Sequence, residues 1–253
     1  MKRIISFSGG LGSYMAAQRV VDEFGAEDCT LLFTDTLTED PDTYRFMDES
    51  AAHLGLTVTT IKDGRDIWGV FEDVKFMGNS RVDPCSRVLK RELARKWMEE
   101  NTDPTDAVLY VGIGWDEIHR MDNITKHWAP FTVEAPLTEP PYLSRNDIIE
   151  HLHGIGIEEP DLYKLGFAHN NCGGFCIKTG QAQFLKLLKT MPERYAHHEK
   201  QQEKLFTQIK PHGFIRVTKN KKLHYLSLKE FREYVEGSGQ VDMFDIGGCG
   251  CFV

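Results

Sequence analysis

Five of the six cysteines in this 253-residue chain fall in three tight places. Cys85 follows Pro84, Cys172 and Cys176 bracket Gly173-Gly174-Phe175, and Cys249 and Cys251 sit in a glycine-rich tail. Four thiolates gathered from such places suit either a [4Fe–4S] cluster or a zinc ion, and the glycines let the chain wrap the object held. A thiolate on the tail could instead attack sulfur in a reductive or a sulfur-transfer step. Unligated, reduced thiols are the plain alternative. Cys29 stands apart, just before Leu31-Leu32-Phe33, and reads as a buried core thiol.

A second chemical locus is Ser8-Gly9-Gly10-Leu11-Gly12-Ser13, which follows the apolar Ile4-Ile5 and opens an alanine-rich, helix-compatible segment. Strand, Ser/Gly turn and helix N-terminus in that order make an anion site, with free N–H groups and the hydroxyls of Ser8 and Ser13 as donors. No Gly-Lys-Ser/Thr closes the loop, so it is not a Walker A loop. A glycine-rich turn without a ligand would carry the same residues. Arg87, Lys90 and Arg91 fall close together on a helix, either to grip phosphate or as a solvated basic face paired with Glu92. Lys178 could reach a phosphate or tune a metal, and Thr179 could start a helix. Trp115 is a candidate to stack on adenine or to join the core. His197 and His198, in a charged helix, read as surface residues. Lys219-Asn220-Lys221-Lys222 reads as a hairpin turn, a nucleic-acid contact being the less favoured role.

These residues need a frame. Strand patterns at residues 3–7, 30–34, 57–61 and 107–113 alternate with helical patterns at 13–24, 42–54 and 87–100. Such alternation predicts a parallel sheet covered on both faces, with ligands at the C-terminal strand ends. Polar residues follow three strands: Ser8–Ser13, Thr34-Asp35-Thr36 and Gly112–Arg120. After about Trp128 the pattern turns mainly helical. A helix capped by Ser144, helices at 181–190 and 193–208, and a hairpin from 213–217 and 223–226 are expected. The expected units are residues 1–135 and residues 136–253.

Composition is that of an ordinary globular protein, with 41% hydrophobic and 27% charged residues. No apolar run is long enough to span a bilayer, and the chain opens directly on a strand pattern, so no membrane association and a cytoplasmic location are expected. In a reducing cytosol, clustered cysteines point to metal or redox chemistry in place of disulfides. The net charge of −8 argues against broad nonspecific nucleic-acid binding but leaves room for a local basic groove.

Three segments in order resemble the PP-loop ATP pyrophosphatases and the phosphoadenosine phosphosulfate (PAPS) reductase-like branch, the adenine nucleotide alpha hydrolase-like superfamily. Ser8–Ser13 is similar to their Ser-Gly-Gly-x-Asp-Ser loop. Thr34-Asp35-Thr36 with Pro41-Asp42-Thr43-Tyr44-Arg45-Phe46 resembles the second-strand turn and helix, and Gly112–Arg120 resembles the Gly-Ile-Arg-x-x-Glu-Ser-x-x-Arg segment. Asn170-Asn171-Cys172 through Cys176 and the Gly-Gly-Cys-Gly-Cys-Phe tail recur in a cysteine-rich bacterial and phage group of that branch. The resemblance implies a Rossmann-like α/β nucleotide domain with a smaller, mainly helical cysteine-rich region.

It also implies an adenine nucleotide, ATP or PAPS, with Mg2+, held by Ser6, Ser8, Gly9, Gly10, Gly12, Ser13, Thr34, Asp35, Thr36, Gly112 and Arg120, and by Arg87 and Lys90. Cys85, Cys172, Cys176 and one of Cys249 or Cys251 would hold the cluster. The implied chemistry is ATP-dependent activation and thiolation of a nucleobase, RNA or DNA, fed by a sulfur donor. The alternatives are a sulfonucleotide reductase using Cys249 or Cys251 and a thioredoxin-like reductant, or a nucleotide- and cluster-sensing module. A homodimer is compatible with either. Two departures stand out: Gly12 replaces the loop aspartate and Gly114 the usual arginine, leaving Asp35 or Asp116 to supply the missing carboxylate.

Overall fold

The computed structural model describes residues 1–79, 81–219 and 221–248. Five short strands, β1 (Lys2–Ser6), β2 (Cys29–Asp35), β3 (Val58–Lys62), β4 (Ala107–Tyr110) and β5 (Thr132–Glu134), form one parallel sheet in the order β3-β2-β1-β4-β5. Parallel neighbours need crossovers, supplied by α1 (Leu11–Phe24), α2 (Pro41–His53), α3 (Ile67–Val74), the run Pro84–Asn101 and α6 (Met121–Trp128). That run contains a single-turn α4 (Pro84–Ser86), a π-helix (Arg87–Glu92) and α5 (Leu93–Asn101).

Period-two alternation explains the two layers. Ile5, Leu31, Phe33 and Val108 turn to one face and pack with α1, α2 and α7 (Arg145–Gly154). Ile4, Leu32, Leu109 and Val111 turn to the other, against Ala94 and Met98 of α5 and Ile124 and Trp128 of α6. Asp40 caps α2, accepting from the Asp42 amide at 3.0 Å with Pro41 as first helical residue, and Ser144 forms a capping box with Asp147 on α7.

After α8 (Asp161–Lys164), a third core gathers α3 with α9 (Gln181–Thr190), α10 (Pro192–Phe206), the antiparallel hairpin β6 (Ile215–Lys219) and β7 (Lys222–Leu226), and α11 (Leu228–Glu236). The halves interlock. Leu137, Ile148, Leu152 and Ile157 join the sheet's core, while Ile67, Trp68 and Phe71 join that of the second half.

Several expectations change. The helix expected at 87–100 is π-helical over its first six residues and α-helical only from Leu93. His198 is buried, not on the surface: Trp68 Nε1 donates to its Nδ1 at 3.0 Å and the Phe175 ring stacks on it at 3.9 Å. The charged residues of α10 hide that inward face in the sequence, and His197 alone stays exposed. Thr179 does not start a helix. Gly180 is the N-cap of α9, and the Thr179 hydroxyl donates to the Cys176 carbonyl at 2.7 Å. Cys29 is half-buried, packed on the edge of the core.

Candidate functional site

The chain order reverses between β1 and β4: β2 and β3 lie to one side of β1, and β4 and β5 to the other. Doubly wound sheets place ligands at such a switch point, outside the C-terminal ends of the strands. A cleft of about 570 Å³ opens there. Ser6, Ser8, Gly10, Gly12 and Ser13 line it from the end of β1, and Gly112, Asp116 and Arg120 from the end of β4.

The Ser/Gly loop is organised from within. Ser13 Oγ accepts from the amides of Ser8 and Gly10 at 3.2 and 3.3 Å and donates to the Gly10 carbonyl at 2.9 Å. Gly9, at φ +72°, packs so tightly on Thr43 that a Cβ would lie 2.5 Å from its methyl carbon. Gly12 and Gly112 touch backbone to backbone: a Cβ on Gly12 would sit 2.8 Å from the Gly112 carbonyl oxygen. An aspartate at position 12 would have to push β4's loop away. The missing carboxylate is thus bound up with the close approach of the two loops.

Residues from the second half close the cleft, and sequence reasoning missed them. Arg145 donates to the Ala168 carbonyl at 2.6 Å and lies over the Tyr163 ring, while His169, Asn170 and Asn171 line the cleft's inner end. Asn170 Nδ2 donates to the Gly9 carbonyl at 2.8 Å and to Thr43 Oγ1 at 3.0 Å. Its Oδ1 is buried without a partner among the described residues, an acceptor in want of a donor. Trp115 is not core. It is 51% exposed at the rim, its ring 5.9 Å from that of Tyr142. Burial keeps His169 below its ordinary pKa, so its imidazole stays neutral at pH 7.

Beside the cleft is a narrow cavity lined by Cys85, Cys172 and Cys176, with an apolar wall of Ile67, Phe71 and Phe175. Three cysteines separated by up to 91 positions in sequence thus face one space. Cys172, Gly173 and Gly174 all have left-handed backbones, at φ +51°, +57° and +85°. A Cβ on Gly173 would approach the Thr38 carbonyl to 2.9 Å, and one on Gly174 the Phe167 ring to 2.8 Å. That is the physical reason for two glycines between the cysteines.

Charged groups fix this segment. Buried Glu39 accepts from the Cys172 amide at 2.6 Å and from Thr36 Oγ1 at 3.0 Å, and lies 3.6 Å from Lys90 Nζ. Arg194 bridges Asp40 at 2.6 Å and the Gly173 carbonyl at 2.7 Å. Asp83 pairs with Arg91 at 3.2 Å and with Lys178 at 3.5 Å. Of the expected basic trio, Arg87 is exposed and paired with Glu92, whereas Lys90 and Arg91 are buried. Lys90 lines both the cleft and the cysteine cavity.

Thr36 lines the cysteine cavity. Asp35, on the same turn, organises the β2–α2 loop, its Oδ1 accepting from the Leu37 amide at 2.8 Å and the Tyr44 hydroxyl at 2.9 Å. Asp116 and Glu117 are the carboxylates that line the cleft, Glu117 being paired with Arg120. Cys249 and Cys251 lie outside the described residues. The tail just before them is anchored: Gly247 bridges Thr179, and Gly248 donates to the Lys178 carbonyl at 3.5 Å, two residues from Cys176.

No signal in the sequence marks Glu39 among the other acidic residues, whereas Asn170 and Asn171 adjoin the cysteine motif and could have been included with it. Fold and cleft together define an α/β protein with a Rossmann-like doubly wound sheet. No protein-family model matches the chain, and no curated protein matches it in sequence. No helix among the described residues is long and apolar enough to cross a membrane.

Proposed function

We propose that the protein is an adenine-nucleotide-dependent enzyme of sulfur chemistry, related to the PP-loop ATP pyrophosphatases and PAPS reductase-like proteins. The observation that carries the reading is the shared wall: Lys90 lines both the switch-point cleft and the cavity faced by Cys85, Cys172 and Cys176. A phosphate site and a thiolate site that share a buried cation are suited to one reaction.

In this reading the nucleotide phosphates lie on the Ser8–Ser13 loop and the N-terminus of α1, with Lys90 as counter-charge. Asn170 Oδ1 accepts from a ribose or adenine donor, and Trp115 covers the ring. Asp116 is the carboxylate best placed in the cleft to hold Mg2+. An acceptor oxygen attacks the α-phosphorus, pyrophosphate leaves, and sulfur from a donor then displaces AMP. The acceptor is a nucleobase, free or in RNA or DNA.

The donor chemistry of the cavity fits a thiolate-bound metal group. Three cysteines face an apolar-walled space, and the anchored tail at Gly248 leads directly to Cys249 and Cys251. Cys85, Cys172, Cys176 and one tail cysteine would hold a [4Fe–4S] cluster, with zinc as the alternative. Such a cluster supplies a Lewis-acidic, redox-capable iron beside the nucleotide.

Anaerobically purified protein should contain about four iron and four acid-labile sulfide per chain, and Cys172→Ser should lose them. One zinc and no sulfide would sink the cluster assignment. Pyrophosphate release from ATP with nucleic acid present is expected; sulfite release from PAPS in its place would make the protein a reductase.

A further inference from the structure

The chain is acidic overall, yet residues 209–226 carry Lys210, Arg216, Lys219, Lys221 and Lys222 and no aspartate or glutamate. These residues build the β6–β7 hairpin. Its inner face is core: Ile215 and Val217 are 1% and 2% exposed and pack with the aromatic residues of the second half. The register sets Arg216 opposite Tyr225 and Thr218 opposite Leu223, so these four stand together on the outer face. Tyr225 is 56% exposed and Leu223 51%. Lys219 pairs with Lys222 at the turn end. By the same alternation Lys219 and Lys222 fall on the side of Ile215 and Val217, beyond the core, so the outer strip carries Arg216 beside the exposed Tyr225 ring while the exposed lysines crowd its turn end.

That strip leads somewhere. Arg216 also lines a polar groove of about 460 Å³, together with Lys178, His119, Arg120 and His169 and with the carboxylates of Glu117 and Asp245. Arg120 and His169 line the nucleotide cleft as well, so groove and cleft meet. Arg216 approaches its acidic neighbour Asp245 only at 3.8 Å, and its side chain is 62% exposed.

We propose that the lysine-rich turn end and outer face of the β6–β7 hairpin, with the adjoining groove, bind single-stranded nucleic acid and lead it toward the cleft. Phosphates match the lysines and Arg216, and a base stacks on Tyr225, the combination that single-strand binders use. An acidic protein surface would match the cations as well, and poly-glutamate stands for it in the test. The direction toward the cleft rests on the functional reading above, whereas binding to the hairpin is measured without it.

The test is fluorescence anisotropy of the intact protein with labelled single-stranded RNA and DNA oligonucleotides over a range of salt. Saturable, salt-sensitive binding is expected. Combined Lys219→Glu and Lys222→Glu should weaken it at least tenfold and flatten the log–log salt slope by about two. Tyr225→Ala should weaken it about tenfold and Tyr225→Phe should restore it. Unchanged melting temperatures would show that these exposed substitutions leave the fold intact. No saturable binding, equal affinity in all variants, or equal affinity for poly-glutamate would overturn the proposal. Normal iron content and pyrophosphate release without oligonucleotide binding would sink the surface and spare the function. Binding without either would do the reverse.

Discussion

Gly12 shows how one missing atom group shapes a site. Its α-carbon faces the Gly112 carbonyl so closely that any side chain must displace a backbone oxygen 2.8 Å away. Gly12→Asp, which would recreate the loop aspartate of the resembling family, should therefore destabilise the fold by about 1–3 kcal/mol, as overpacking does. Chemical denaturation checks the loss, and titration with ATP should show weaker binding, not stronger. His198 makes a second prediction. Burial, with His197 and Arg194 nearby, holds its pKa down to about 3, so it is neutral in the folded state. In the unfolded chain it takes up a proton below about pH 6.5. The unfolded state then binds more protons, so stability present above pH 6.5 is lost as pH falls toward 3, roughly 2 kcal/mol by pH 5. His198→Gln keeps an acceptor for Trp68 without titrating, and the difference between the two unfolding curves across pH 4–7 should report that slope. Equal slopes would remove His198 from the acid sensitivity.

Among the elements, the tail and α9 depend on one another. Gly180 has no side chain to cap α9, and Asp245 takes that role from 64 residues away. Its carboxylate accepts from the Gln181 amide at 3.3 Å and its carbonyl from the Ala182 amide at 3.0 Å. Asp245→Ala should cost about 1 kcal/mol, as lost caps do, and should speed hydrogen exchange at Gln181 and Ala182. Iron content falling with it would tie tail docking to metal binding. The π-helix at Arg87–Glu92 is another element that works through placement. It inserts a residue into the helix after Cys85, and Lys90 and Arg91 are carried inward while Arg87 stays outside. A uniform α-helix, the natural reading of residues 87–100, groups all three on one side.

Across the whole molecule, the β2–α2 loop is the joint between the sheet and the cysteine-bearing half. Glu39, 1% exposed in its side chain, receives Thr36 from its own loop, the Cys172 amide from the second half, and faces Lys90 from the π-helix. Glu39→Ala strips the acceptor from all three and should cost about 3–5 kcal/mol, the range for breaking a buried ion pair. Thermal unfolding measures that cost. Iron content and ATP affinity, measured below the new midpoint, should fall together because the same segment carries Asn170 and Cys172. Loss of one alone would mean the two sites are independent.

The sequence by itself determined the strand–helix alternation, the Ser/Gly loop at a strand end, the Ser144 cap, the hairpin and the cysteine spacings. All of these depend on near neighbours, on two- and 3.6-residue periods and on turn chemistry. It did not reveal that Gly12 meets Gly112, that Asp35 builds a loop, that His198 is inside, or that Glu39, Lys90 and Asn170 tie two halves together. Apart from Asp35, whose partners Leu37 and Tyr44 are close in sequence, those depend on which segments distant in the chain meet, and a contact between distant segments leaves no periodic trace. Only the tertiary structure, by reversing strand order between β1 and β4, put the switch-point cleft and the cysteine cavity against one buried lysine.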